Sequence, residues 1–220
     1  MDEKIEETGW RPRLVILDFD GTIGDTNNVI VSTMQATLRE LGLPMQTPKA
    51  CSSTIGLPLG KGFASLLPMD EEMEQRCVDT YRRIFAVNSR QNAVPVFPHV
   101  VDTLSRFHEE GITLTLASSR GHESLAEFVR TMHLEDYFSL ILGAEDVERA
   151  KPDPEPVQKT MRELGFKPEE TLVVGDMTFD ILMGRRAGAH TCGVTYGNGT
   201  REELLRAGAE KVVDDFADIL

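Results

Sequence analysis

The chain predicts an α/β fold, a Rossmann-like parallel sheet with crossover helices, plus a small α-helical domain inserted near its start. Short aliphatic runs alternate with amphipathic stretches of helical period, which is the pattern of strands joined by crossover helices. Between the first and second of those runs, residues 26–94 carry helical periodicity and no strand signal. At 220 residues the chain is long for one domain and short for two full ones. The expected division is therefore a core of residues 1–25 and 95–220 and a helical domain of residues 26–94.

Residues 1–13 read as a short solvated leader, with Pro12 just ahead of the first strand. Leu14-Val15-Ile16-Leu17 is uniformly aliphatic, as a strand buried on both faces should be. It stops at Asp18. Asp20 follows two residues on, so both carboxylates can hang on one side of the strand's carboxyl end before Gly21 lets the backbone turn. In an open parallel sheet, that end is where ligands sit.

After Asp25, Ile30, Met34, Leu38 and Leu41 recur at three- and four-residue spacing, which predicts a helix over residues 27–41 that stops near Gly42 and Pro44. Thr47-Pro48 opens a short second helix, since Pro is at home in a first turn. Residues 55–63 (Ile-Gly-Leu-Pro-Leu-Gly-Lys-Gly-Phe) are the most loop-like stretch of this region. Met73, Cys77, Tyr81, Ile84 and Phe85 then mark one face of a long helix over residues 70–88.

The core resumes at Pro95. A helix over residues 99–110, with Val101, Leu104 and Phe107 inward, stops at Gly111, and residues 112–117 form a strand rich in β-branched side chains. Further helices are expected over 122–132, 154–164 and 201–207, and further strands over 139–142, 171–174, 191–195 and 211–213.

Composition narrows the function. Lys plus Arg number 23 against 36 Asp plus Glu, a net charge of −13, which argues against a nucleic-acid or anionic-membrane partner. Cys51, Cys77 and Cys192 are widely spaced and form no CxxC pair, so neither a disulfide framework nor a zinc site is indicated. The acidic N-terminus is no signal peptide and no apolar run reaches the roughly 20 residues of a membrane span, so a cytoplasmic location is expected. The five histidines are scattered and read as surface or packing residues.

The chemistry concentrates at the strand ends. An ionised aspartate can attack phosphorus without a base, which makes Asp18 a candidate nucleophile. A second carboxyl, Asp20, can protonate the leaving group and later deprotonate the attacking water. An anion approaching a phosphate needs a metal ion and cationic side chains around it. Taken alone, Asp18 and Asp20 could equally cap a turn. The other candidates are Ser118 after the second strand, Lys151 ahead of three alternating prolines, and Asp176 and Asp180 at a strand-to-helix turn. Singly, these read as well as a helix cap, a surface lysine and turn acids.

Together the residues carry a resemblance. Asp18-Phe19-Asp20-Gly21-Thr22 after an aliphatic strand, Ser118 after the second, Lys151-Pro152-Asp153-Pro154, and Gly175-Asp176 with Asp180 resemble, in order, the four motifs of the haloacid dehalogenase superfamily. Ser119 stands where Asn is usual, and Met177 where many relatives carry Ser. The resemblance implies that Asp18 is the nucleophile, Asp20 the acid/base, and that Asp18, the Asp20 carbonyl and Asp176 hold Mg²⁺. It implies phosphoryl contacts from Thr22, Ser118, Ser119 and Lys151, with Asp180 supporting metal or lysine. Residues 26–94 are similar to the superfamily's small helical cap, whose loop at Gly56, Leu57 and Lys61 would meet the substrate. The second acid excludes a dehalogenase and a phosphonate-cleaving relative. Leu59, where a sugar phosphomutase usually carries Arg, makes that reading secondary.

The expected activity is that of a phosphatase on a small phosphate ester, most similar to the phosphoglycolate phosphatase branch, with a pyrophosphatase as the near alternative. A monomer or weak homodimer is expected. A non-catalytic phosphate-binding module is the contrasting reading.

Overall fold

The computed structural model describes residues 10–91 and 94–220. Its six strands are β1 (Leu14–Leu17), β2 (Thr113–Ala117), β3 (Phe138–Leu142), β4 (Thr171–Gly175), β5 (His190–Val194) and β6 (Lys211–Val213). They form one parallel sheet in the order β3-β2-β1-β4-β5-β6. Parallel neighbours cannot be joined by hairpins. The crossovers here run through α5 (Val100–Glu109), α6 (His122–Thr131), α7 (Glu155–Leu164), α8 (Thr178–Arg186) and α9 (Arg201–Ala207).

Every residue of β1 is buried, as its aliphatic composition requires. Alternate side chains serve the two faces. Val15 and Leu17 join a core with Leu104, Phe107 and Val129, whereas Leu14 and Ile16 pack with Val157, Met161 and Met183. Leu17 stands opposite Leu116 of β2 and Val174 of β4, so the residues that follow these strands emerge at one level. The order of strands reverses between β1 and β4, and a crevice opens outside the strands at such a point.

Between β1 and β2 lie α1 (Asn27–Glu40), α2 (Pro48–Ser52), α3 (Leu59–Leu66) and α4 (Glu71–Gln91), with no strand among the described residues of the segment. Thr47 caps α2 by accepting from the Ala50 N–H. The stretch expected as loop is helical in its second half. Leu59 and Phe63 fall one turn apart behind Pro58, and Phe63 is fully buried 6.1 Å from the Tyr81 ring, so packing overrides the poor helix propensity of Gly60 and Gly62.

Two smaller expectations are corrected. In α5 the inward residue is Val100, fully buried, while Val101 is 43% exposed. The last residues of the leader are held on the molecule: the Trp10 indole donates to the Glu169 carbonyl at 2.9 Å, and Arg13 pairs with Glu170 at 2.6 Å. The rest of that leader lies outside the described residues. All three cysteines are buried and unpaired.

Candidate active site

Asp18 leaves β1 with its N–H donating to the Val174 carbonyl at 2.9 Å. The chain then curls on itself, and the Phe19 carbonyl accepts from the N–H groups of Thr22, Ile23 and Gly24. Gly21 makes this possible at φ +90°, and a Cβ there would lie 2.2 Å from Asp176 Oδ2. Both the dihedral and the crowding demand glycine.

Lys151 is the hub of the site. Its Nζ donates to Asp18 Oδ1 and to Asp180 Oδ1, each at 2.7 Å, and all three side chains are buried. Asp180 also caps α8 by accepting from the Met177 N–H at 3.0 Å. Carboxylate oxygens of Asp18, Asp176 and Asp180 lie within 4.8 Å of one another. On its far side Asp176 Oδ2 accepts from the Asn198 N–H at 2.7 Å and from Asn198 Nδ2 at 2.9 Å.

Three carboxylates cluster around one ammonium, which bonds two of them, and the excess negative charge shifts their protonation. Burial raises the Asp18 pKa well above the usual carboxylate range; Lys151 opposes this, and Asp180, Asp176 and Asp20 add to it. Burial, reinforced by the Asp180 charge, pushes Asp176 up to about 7 although the Asn198 bonds pull it down. For Lys151, burial favours the neutral amine, but Asp18 and Asp180 outweigh it and the pKa rises. A buried excess of negative charge bordered by oxygen donors fits a hard divalent cation. Asp18 and Asp176 are the side chains suited to hold it, since Asp180 is committed to Lys151 and to the helix cap.

Asp20 is placed differently. Its carboxylate takes a bidentate pair from Arg120, Nε to Oδ2 at 3.1 Å and Nη2 to Oδ1 at 2.5 Å, with both side chains nearly buried. Only its backbone, not this side chain, remains to serve a cation. The Arg120 guanidinium in turn lies 4.8 Å from the centres of both the Phe85 and Phe128 rings, an arrangement that fixes a cation among apolar groups. Asp18, Asp20 and Ser118 open onto one cavity of about 1100 Å³.

The remaining predicted residues divide. Ser118 is buried at the cavity, where its Oγ accepts from the Arg120 N–H at 3.2 Å, so its own proton points elsewhere. Thr22 is fully buried and donates to Asp176 Oδ1 at 3.4 Å. Ser119 differs from the expectation. Its hydroxyl donates to the Gly56 carbonyl at 2.6 Å, tying the helical insertion to the core instead of offering a proton to a ligand. Gly56 and Leu57 line the cavity, whereas Lys61 does not; it pairs with Glu74 at the surface at 3.4 Å.

Sequence reasoning passed over three contributors. Arg120 followed Ser118 and Ser119 without drawing notice, yet a cation in that turn faces the end of the first strand. Asn198 lies in a Gly-Asn-Gly turn after β5 and anchors Asp176, and Tyr196 in the same loop donates to the Thr22 carbonyl at 2.9 Å. Nothing in the local sequence marked Tyr196.

The chain is similar to known proteins. Residues 15–194 match the family described as haloacid dehalogenase-like hydrolase. The Dickeya dadantii protein named "Probable phosphatase IndB" is 37% identical over 94% of this chain and 91% of its own length. The pyrophosphatase PpaX of Oceanobacillus iheyensis is 32% identical over 94% and 95%. Phosphoglycolate phosphatases, that of Aquifex aeolicus among them, also match. A crystal structure of a haloacid dehalogenase-like hydrolase from Bacteroides fragilis superposes with a TM-score of 0.91 at 27% identity, over 96% of this chain and all of that one. The chain belongs to the haloacid dehalogenase-like hydrolase family. Within that family its class is that of the phosphatases.

Proposed function

We propose that this protein is a Mg²⁺-dependent phosphatase that hydrolyses a small phosphorylated metabolite through an aspartyl-phosphate on Asp18. The observation that carries the reading is the buried Lys151 ammonium held between Asp18 and Asp180 beside Asp176. It gives the attacking carboxylate a fixed cation at the one place where it must meet another anion.

In the first step an Asp18 oxygen attacks phosphorus as the ester P–O bond breaks, and Asp20 delivers a proton to the departing oxygen. In the second, Asp20 takes a proton from water, which attacks the same phosphorus, releases phosphate and restores Asp18. Both Asp20 oxygens accept from Arg120, so giving its proton to the departing oxygen closes one of those bonds and taking a proton from water opens it again. Ser118 contributes a hydroxyl beside the phosphoryl group and Lys151 neutralises it, while the Thr22 hydroxyl, directed at Asp176, orients that carboxylate instead of meeting the phosphoryl group. Bound Mg²⁺, held by Asp18, Asp176 and the Asp20 carbonyl, would supply the additional positive charge.

Residues 26–94 act in this reading as a cap that excludes water, and the Ser119 to Gly56 hydrogen bond supports that role. Three unpaired thiols accord with a reducing compartment such as the cytoplasm.

The test is phosphate release from p-nitrophenyl phosphate with Mg²⁺ or with EDTA, by wild type and by Asp18→Asn. Release that needs Mg²⁺ and vanishes in the variant is expected, with a phosphate adduct on Asp18 trapped by acid quench and seen by mass. Equal background rates in both proteins would replace catalysis by simple phosphate binding.

A further inference from the structure

The cavity that opens from Asp18 and Asp20 is too large and too apolar for the substrates that the relatives' names offer. Its volume of about 1100 Å³ is at the upper end of pockets built for drug-sized ligands, about 300–1,000 Å³. Beyond the reacting corner its wall is formed by Ile30, Met34, Leu57, Val78, Phe85 and Phe128, contributed by α1, α4, α6 and the loop after α2.

The charges in that wall point the same way. Among its described residues both arginines are already matched, Arg120 with Asp20 and Arg82 with Glu145 at 3.4 Å, and the His122 ring is bonded to Asp146 at 2.6 Å. Glu123 and Glu127 add negative charge to the same wall. A carboxylate or second phosphoryl group on the leaving side would find hydroxyls and carbon but, among the described lining residues, no arginine that is not already paired, and desolvating it there without a counter-charge is costly. An apolar leaving group meets no such penalty and gains by leaving water.

Resting on the phosphatase reading above, we propose that the substrate is a phosphate monoester of an uncharged alcohol carrying a bulky apolar or aromatic body. The phosphoryl group sits at Asp18 and Lys151, and the alcohol lies in the cavity against the apolar wall that Met34, Val78, Phe85 and Phe128 form. Hydrolysis transfers the phosphoryl group to water: the bond between phosphorus and the ester oxygen breaks, and that oxygen leaves with the proton from Asp20.

The test compares primary alkyl esters whose reacting bond is alike, 2-phenylethyl phosphate and phosphoglycolate, together with inorganic pyrophosphate, on the Mg²⁺-loaded wild-type enzyme. The expected result is a kcat/KM for 2-phenylethyl phosphate at least roughly tenfold above both anionic competitors, the scale on which apolar pockets discriminate. A second measurement uses Val78→Lys, which sets a cation in the apolar wall. There the ratio of 2-phenylethyl phosphate to phosphoglycolate should fall by about tenfold or more, and a ratio is insensitive to the fraction of enzyme that folds. Preference of the wild type for phosphoglycolate or pyrophosphate overturns the proposal while leaving the phosphatase reading intact. If the enzyme releases no phosphate from any of these esters or from p-nitrophenyl phosphate, the phosphatase reading fails and takes the proposal with it.

Discussion

Replacing Asp176 with Asn is expected to stabilise the cation-free protein, and to do so by more than twice as much at pH 8 as at pH 5. Asp176 is fully buried, and its carboxyl is pushed from 3.8 up to about 7 by burial and by Asp180. A carboxyl that holds its proton more tightly when folded favours the folded state at low pH. That advantage fades as pH climbs from about 4 to about 7, and above this range the folded protein bears the full burden of a buried carboxylate. At about 1.4 kcal/mol per pH unit, the interval from 3.8 to about 7 amounts to an upper figure of about 4 kcal/mol. Asn cannot ionise, keeps an oxygen for the two donors of Asn198, and turns its amide toward Thr22 Oγ1. Urea denaturation in EDTA at the two pH values reads the difference, with equal m-values confirming that only stability changed. Adding Mg²⁺ at pH 8 should then stabilise wild type and not the variant, because a ligand stabilises only a state that binds it. A variant no more stable than wild type at pH 8 in EDTA would refute the account of the site as an excess of buried negative charge.

Lys151→Met should abolish phosphate release and cost about 3–5 kcal/mol in urea denaturation, since it strands Asp18 and Asp180 without their ammonium. Because the folded Lys151 pKa is raised, its stabilisation is complete below about pH 10.4 and is lost above that. The stability gap between wild type and variant should accordingly narrow at strongly alkaline pH. Arg120→Lys keeps the charge but cannot bridge both Asp20 oxygens, so kcat should fall by about tenfold with KM for p-nitrophenyl phosphate little changed. Gly21→Ala should lower both stability and Mg²⁺ affinity, because its Cβ would displace Asp176; a titration of Mg²⁺ against activity separates that from simple unfolding.

The sheet is legible because its strands are short segments rich in aliphatic and β-branched residues with a turn signal at each end. β1 through β6 were all foreseen, within a residue at most ends. Helix α3 was not, since Gly60 and Gly62 disguise a turn that exists only because Phe63 has a buried slot beside Tyr81. Periodicity points to Val101 instead of its neighbour Val100 because it cannot fix the phase of a helix whose start is off by one residue. At the site, residues that carry charge on strand ends could be read directly. Partners that arrive through the turn of another element could not: Arg120 on Asp20, Asn198 on Asp176 and Gly56 on Ser119 depend on how loops distant in sequence meet.

Asp18 and the lysine that neutralises it are 133 positions apart, and the strand bearing Asp18 lies in the middle of the sheet. During synthesis the aspartate therefore leaves the ribosome long before its ammonium, and β4, which must flank β1, arrives later still. Until then this corner is still waiting for its counter-charges. A chain that ends before Lys151 would therefore lack both the counter-charge of Asp18 and the strand that flanks β1 on its other side.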